Sequence, residues 1–207
     1  MTSIENIYND FRATYQDNPD FTLDFYNNNS VLLNNIKIFT DSEQLRLYIE
    51  LIGRYLSAHY KKSHYNEIIN IVDEKRQIID CEISRLDYAP LKDDWYYNLI
   101  YHKGMASYNL KDYKTATSIF EELVKIDSKN DNYKYWLRYC KSGQVTRFSR
   151  VITIICGVTL VADIFFGKLI SSNLLKLWVM GTVFLLLVII QSYEYYLRYS
   201  LRKTKEK

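Results

Sequence analysis

Two long apolar runs near the C-terminal end constrain this sequence more than any other feature. The first, VITIICGVTLVADIFFGKLI, begins at Val151, and the second, LLKLWVMGTVFLLLVIIQSY, ends at Tyr193. A helix of about 20 residues rises about 30 Å, which matches the hydrocarbon core of a bilayer. The polar residues Ser171, Ser172 and Asn173 separate the two runs. The pattern therefore predicts a two-pass transmembrane hairpin.

Charge divides the chain at the start of this hairpin. Residues 1–146 carry 18 Lys and Arg against 21 Asp and Glu, whereas residues 147–207 carry 9 against 3. Basic residues flank the two runs, and only Lys168 and Lys176 lie near the turn between them. The positive-inside rule predicts an integral membrane protein with both termini in the cytoplasm and, in a bacterium, in the inner membrane. We expect a helical domain over 1–146 and a hairpin with a basic tail over 147–207.

Asp163 is the one acidic residue inside either run. An unpaired charge at the centre of a bilayer costs about 2.5–3.5 kcal/mol, so this carboxylate needs a partner, a proton or water. One interpretation places it near the interface, where it pairs with Lys168 or Lys176. The alternative places it in an ion path. Several hairpins would then assemble into a small channel under the control of the N-terminal domain.

Composition and motifs argue against catalysis, metal binding and nucleic-acid binding. The cysteines form no C-x-x-C pair, so neither a disulfide framework nor a zinc site is expected. The histidines belong to no catalytic or metal-binding motif. The mildly acidic N-terminal domain lacks the basic face that binds phosphates. We therefore expect no enzyme activity, no cofactor, no metal and no nucleic acid. The residues in question are Cys81, Cys140, Cys156, His59, His64 and His102.

Few turn-forming residues and a regular apolar spacing predict an all-helical N-terminal domain. The chain has only 2 Pro and 6 Gly among 207 residues. Apolar residues recur every three or four positions from Ile4 to Tyr15, from about Ser42 to Tyr60 and from about Tyr65 to Leu86, which is typical of amphipathic helices. Thr40 and Glu43 form a candidate capping box before the second of these segments.

The clearest pattern lies in the segment YYNLIYHKGMASYNLKDYKTATSIFEELVKIDSKN. Gly104 is followed by Tyr113 nine residues later, Ala116 three further on and Phe120 four further on. This spacing resembles the tetratricopeptide signature. The resemblance implies two antiparallel helices joined at residues 111–113. Gly104 and Ala116 would lie at their closest approach, and the two aromatic side chains would pack beside them.

The family resemblance also implies a curved stack of helical hairpins whose concave face binds peptides or partner helices. We expect an all-α fold of such hairpins followed by the transmembrane pair, with Gly143 as a candidate hinge in the helix that leads to it. The predicted function is an adaptor or scaffold that binds membrane lipid and a protein partner, or associates with itself. By this implication, the candidate partner-binding residues are Tyr97, Tyr101, Tyr108, Tyr133, Arg138, Tyr48, Arg54 and Tyr55.

Overall fold

The computed structural model describes residues 4–15, 17–90, 95–166 and 173–205, and every regular element among them is an α-helix. The prediction of an all-α fold is confirmed for these residues. They belong to two compact units, Met1–Tyr133 and Lys134–Lys207. The helices are α1 (Ile4–Thr14), α2 (Pro19–Asn28), α3 (Ser30–Asn35), α4 (Ser42–Lys61), α5 (Tyr65–Arg85), α6 (Trp95–Asn109), α7 (Tyr113–Ile126), α8 (Asp131–Phe166) and α9 (Asn173–Lys205).

Helix α4 is the centre of the first unit and packs against α1, α2, α5 and α6. A helix with partners on several sides must be apolar around most of its circumference. Ile52 and Leu56 are fully buried on one side of α4, and Leu51 and Ala58 are buried on another. This central helix carries more residues of the site described below than any other element.

The first turn of α4 is capped one residue later than the sequence suggested. The Asp41 carboxylate accepts a hydrogen bond of 2.9 Å from the N–H of Gln44. The side-chain oxygen of Gln44 in turn accepts a bond of 3.3 Å from the N–H of Thr40. The predicted box of Thr40 and Glu43 is therefore wrong in register, because an aspartate carboxylate caps a helix as well as a hydroxyl does. The Gln44 bond also holds the pKa of Asp41 below its usual value.

Helices α6 and α7 form a closely packed hairpin. A Cβ atom at Gly104 would lie 2.9 Å from two ring atoms of Phe120, so the missing side chain is what admits this ring. Ala116 and Phe120 are fully buried at the same contact. Asp112 caps α7 by accepting a hydrogen bond of 3.2 Å from the N–H of Thr115. The turn between the two helices thus ends at Asp112, one residue before the end of the predicted segment 111–113.

Within the residues that the structure describes, we find no helix with both the length and the apolar character to cross a bilayer. The apolar part of α8 extends from Val151 to Phe166, which is about 24 Å of helix, and residues 167–170 lie outside the described residues. The uninterrupted apolar part of α9 lies between Lys176 and Gln191 and measures about 21 Å. The predicted two-pass transmembrane hairpin is therefore wrong, and the integral-membrane localisation with cytoplasmic termini is wrong with it.

The second unit contains nearly all of α8 and the whole of α9. Helix α8 has no break at Gly143, the candidate hinge. The side chain of Asp163 and the turn residues Ser171 and Ser172 lie outside the described residues, so the two interpretations of Asp163 stay predictions. Large apolar side chains of both helices are exposed. They include Val151, Ile154, Ile155, Val158, Val161, Trp178, Phe184, Leu185, Leu186, Val188 and Ile189.

Candidate functional site

The site is built around a close helix approach at Gly53, in the middle of α4. Trp95, at the start of α6, lies against this glycine, and a Cβ atom at position 53 would overlap the indole ring. The ring centroid of Trp95 lies 5.2 Å from the guanidinium carbon of Arg54. The ring of Tyr15 lies 5.3 Å from the same carbon. Two aromatic rings therefore hold Arg54, because a cation is attracted to the face of a π system.

A buried carboxylate fixes the orientation of the Arg54 side chain. Oε1 of Glu50 accepts hydrogen bonds from Nε of Arg54 at 3.0 Å and from Nη2 at 2.8 Å. Arg46 lies 3.8 Å from the other carboxylate oxygen. Burial and a hydrogen bond to Glu50 raise the pKa of the Tyr8 hydroxyl. A buried charge is stable only when it is paired, and here Tyr8 of α1 and two arginines of α4 interact with the Glu50 carboxylate.

Arg54 lines two clefts in the first unit. The larger cleft lies between α1 and α4 and has a volume of about 520 Å³. It is lined by Glu5, Tyr8, Asn9, Arg12, Glu43, Arg46, Leu47, Glu50 and Arg54. The smaller cleft has a volume of about 240 Å³. It is lined by Tyr15, Asp17, Asn18, Pro19, Thr22, Arg54, Ser57, Ala58, Lys61 and Trp95. The larger cleft is therefore walled by equal numbers of arginines and glutamates.

Ser57, which lines the smaller cleft, contacts His102, a buried histidine of α6 that is not among the lining residues. Oγ of Ser57 is 3.1 Å from Nε2 of His102, and Nδ1 of His102 is 2.9 Å from the carbonyl oxygen of Asn98. A carbonyl oxygen only accepts hydrogen bonds, so Nδ1 carries the proton of the neutral ring and Nε2 is an acceptor. Burial lowers the pKa of His102, which favours the neutral ring near pH 7. The Ser57 hydroxyl can therefore donate to the histidine.

Among the predicted partner-binding residues, Arg54 is the one that lines either of these clefts. Tyr48 and Tyr55 lie in the core, at 0% and 8% exposure. The ring of Tyr55 is stacked on that of Tyr26, with 3.7 Å between centroids. Side chains buried in this way pack the first unit and present little surface to a partner.

The predicted tyrosines of α6 are half-buried and contact other aromatic rings. The ring of Tyr101 lies 5.7 Å from that of Phe120 and 5.9 Å from that of Tyr133, which is itself buried. The remaining predicted residues are Tyr97, which packs on Tyr96, Tyr108, which packs on Tyr113, and Arg138, which is exposed and belongs to the second unit. In the structure, Arg54 thus lines the clefts, Arg138 lies on the second unit, and the predicted tyrosines belong to the core or to aromatic contacts.

Sequence reasoning missed Gly53, Trp95 and the pair of Ser57 with His102. The serine and the histidine are 45 residues apart and belong to no motif, so only the packing of α6 against α4 brings them together. Gly53 did carry a signal. Glycine inside a helix costs about 1 kcal/mol relative to alanine, so its presence in the middle of a strongly periodic helix indicates a close approach.

The described residues offer little for metal or thiol chemistry. They contain no group of three or more His, Cys, Asp or Glu side chains arranged to hold a metal ion. Cys81 is exposed and Cys140 is buried. Burial raises the pKa of the Cys140 thiol to about 12, so it stays protonated at neutral pH. This thiol is therefore a poor nucleophile.

Comparisons with protein-family models, with curated proteins and with solved structures find no match to this chain. The resemblance to the tetratricopeptide family is therefore supported by no family match. The chain also lacks, in its described residues, the membrane crossings that the prediction combined with it. The identification as a tetratricopeptide-like protein with a two-pass anchor is wrong, and no family is assigned.

Proposed function

We propose that this chain is a helical adaptor that associates with protein, either a partner or further copies of itself, through its second unit. One observation carries the proposal, namely the large apolar side chains exposed on α8 and α9. On α8, Val151, Ile154, Ile155 and Val158 follow the spacing of one helix face, and each is more than half exposed. Contact between water and a contiguous apolar surface is unfavourable, so such surfaces are typical of interaction sites.

The first unit would act as the scaffold of this adaptor. Helices α4 and α5 pack as one hairpin and α6 and α7 as the next, and α6 packs against both helices of the preceding hairpin. We propose that these hairpins are stacked as in a helical-repeat array. The larger cleft between α1 and α4, with arginines and glutamates in its walls, suits a partner segment that carries both charges, because charge complementarity favours specific binding.

Light scattering on a sizing column tests the proposed association. The full-length protein is expected to show a mass above that of the 24.7 kDa monomer, and the excess mass should fall on dilution. The double variant Val188→Lys with Ile189→Lys should shift the protein toward the monomer, because an unpaired charge cannot be buried at low cost. Both positions are about half exposed in the structure.

The matched control is the double variant Gln191→Lys with Ser192→Lys, which adds the same charge at exposed polar positions of the same helix. It should keep the mass of the wild type. Crosslinking of the wild-type protein in cells, followed by mass spectrometry, covers the case in which the partner is a different protein. The proposal would be contradicted by two results together. The wild-type protein would be a monomer at every concentration, and every partner crosslinked to the wild type would also be crosslinked to the Val188 and Ile189 variant.

A further inference from the structure

Ser57 lines the smaller cleft, and its distance to His102 fits the geometry of a nucleophile and its base. A catalytic pair is recognised by geometry and not by sequence position. Ser57 Oγ and His102 Nε2 are 3.1 Å apart, within the distance of about 2.6–3.2 Å that proton transfer requires. We infer that Ser57 is an activated nucleophile with His102 as its general base, and that it accepts acyl groups from small esters. This inference concerns the first unit and does not depend on the adaptor function.

The backbone of α6 orients the base. Nδ1–H of His102 donates to the carbonyl oxygen of Asn98, one turn earlier on the same helix, so the lone pair of Nε2 is directed at Ser57. The serine hydroxyl has a second acceptor, the carbonyl oxygen of Gly53 at 3.1 Å. The hydroxyl carries one proton, so the Gly53 carbonyl competes with His102 for it, and Ser57 is activated while it donates to Nε2 of His102. The oxygen lone pairs of Ser57 are then left for the cleft, which this residue lines.

Two cations lie on the same face of α4 as the serine, and one of them, Lys61, pairs with the cleft residue Asp17 at 3.0 Å, so Arg54 is the candidate to stabilise an oxyanion. Arg54 precedes Ser57 by three residues and Lys61 follows it by four, and all three line the cleft. Within the described part of the chain, the hydrogen bonds of Arg54 to Glu50 use Nε and Nη2, so Nη1 can donate to a substrate oxygen. Positive charge beside the reacting carbon stabilises the oxyanion that forms there.

The reaction has two stages that balance in atoms and charge. Ser57 Oγ attacks the carbonyl carbon of an ester while its proton passes to Nε2 of His102, and the π electrons move to the carbonyl oxygen. On collapse the ester C–O bond breaks, and the imidazolium ring gives its proton to the leaving alcohol. Water, deprotonated by the same ring, then attacks the acyl-Ser57. The bond between the acyl carbon and Oγ of Ser57 then breaks, the imidazolium ring returns its proton to Oγ, and the carboxylic acid leaves.

The size of the cleft limits the substrate. Its volume of about 240 Å³ lies below the range of about 300–1,000 Å³ that is typical of pockets for drug-sized ligands. Trp95, Tyr15 and Pro19 provide apolar and aromatic parts of its lining. We therefore expect short acyl chains, and p-nitrophenyl acetate is a suitable probe substrate.

Covalent labelling of the full-length protein tests the inference. A fluorophosphonate reacts with activated serines, and mass spectrometry identifies each labelled peptide. Ser84 is an internal reference, because it also donates to a carbonyl oxygen one helical turn earlier, that of Asp80 at 3.0 Å, and it is exposed. Ser57 should be labelled at least about 100-fold faster than Ser84. This factor is the lower end of the rate increase, about 100-fold, that a general base provides. Equal rates at the two serines would overturn the inference.

Variants separate the roles of the two residues. Ser57→Ala should abolish labelling of this peptide and the hydrolysis of p-nitrophenyl acetate, and His102→Gln should slow both by about 100-fold. His64→Gln is the control, because His64 is exposed and its ring contacts His59. Circular dichroism checks that each variant is folded. A folded His102→Gln variant that is labelled as fast as the wild type would overturn the inference. If this variant does not fold, the ratio of the labelling rates of Ser57 and Ser84 in the wild-type protein decides.

Discussion

At the scale of the residue, the absence of one side chain decides how closely two helices approach. Gly53 leaves room for the indole of Trp95 on the backbone of α4, and this contact places the ring beside Arg54. The same approach brings His102 of α6 within hydrogen-bonding distance of Ser57. The smaller cleft and the serine–histidine pair therefore depend on a residue that has no functional group of its own.

Substitution of this glycine should destabilise the protein. In Gly53→Ala the new methyl group overlaps the Trp95 ring, so the ring or the helix must move. Overpacking of this kind costs about 1–3 kcal/mol in the free energy of unfolding, which urea denaturation measures. Gly157→Ala is the control, because nothing lies within 4 Å of a Cβ atom there. That variant should be neutral or more stable by up to about 1 kcal/mol, and a Gly53→Ala variant as stable as the wild type would disprove the close approach.

At the scale of the element, a carboxylate of α5 holds the extended segment that enters α4. The N–H of Phe39 donates to Oε2 of Glu82 at 2.9 Å, and the guanidinium of Arg85 donates to the carbonyl oxygen of Phe39. Arg85 also pairs with Glu82 at 2.6 Å. The Arg85 bond and the Phe39 N–H together hold the pKa of Glu82 below its usual value. A non-helical segment thus obtains its backbone hydrogen bonds from two side chains.

Removal of this carboxylate should loosen the segment. Glu82→Ala leaves the buried N–H of Phe39 without its acceptor, which costs about 1–3 kcal/mol in the free energy of unfolding. Hydrogen exchange at the Phe39 amide should accelerate in the same variant. Asp24→Ala removes an exposed carboxylate on α2 and should change stability by no more than about 0.5 kcal/mol. Unchanged exchange at Phe39 in Glu82→Ala would show that the bond is not formed in solution.

At the scale of the whole molecule, the two units differ in what covers their apolar residues. The first unit encloses its core around α4, where Leu45, Ile49 and Leu56 are fully buried. The second unit exposes large apolar side chains on both of its helices. Stability measured for the whole chain therefore depends on the association state of the second unit as well as on the core of the first, since binding to the folded state stabilises it.

The stability of the whole molecule should fall as the pH falls from 7.5 to 5.5. Burial lowers the pKa of His59, with a further contribution from His64, and burial lowers the pKa of His102. Between the lowered folded-state values and the unfolded value of about 6.5, the unfolded chain binds more protons, so acidification favours unfolding. Carboxylates whose pKa is lowered in the folded state lose their contribution only at lower pH, below about 4.5. Urea denaturation at three pH values measures the effect.

The double variant His59→Gln with His102→Gln separates this effect from other titrations. It lacks both buried imidazoles, so its stability should change less than that of the wild type between pH 7.5 and 5.5. His64→Gln serves as the single-site comparison, because it removes an exposed histidine next to His59. An equal loss of stability in the wild type and the double variant would assign the pH dependence to other groups.

Local information in the sequence determined the helices of the first unit. The predicted helices over 42–60 and 65–86 correspond to α4 (Ser42–Lys61) and α5 (Tyr65–Arg85). Apolar periodicity, caps and turn residues act within a few positions of one another, so a single sequence is enough to read them. For the same reason the cap of α4 was missed by only one residue. Of the candidate site, Arg54 alone was predicted, from a resemblance that no family match supports.

The tertiary structure alone decided which side chains meet and which are covered. Ser57 contacts His102 across 45 residues of sequence, and Phe39 contacts Glu82 across 43. No local pattern specifies such contacts, because they depend on how α4, α5 and α6 pack. The predicted membrane hairpin failed on a related point. An apolar run crosses a bilayer only as a helix of sufficient length and apolar character, and the described residues contain no such helix.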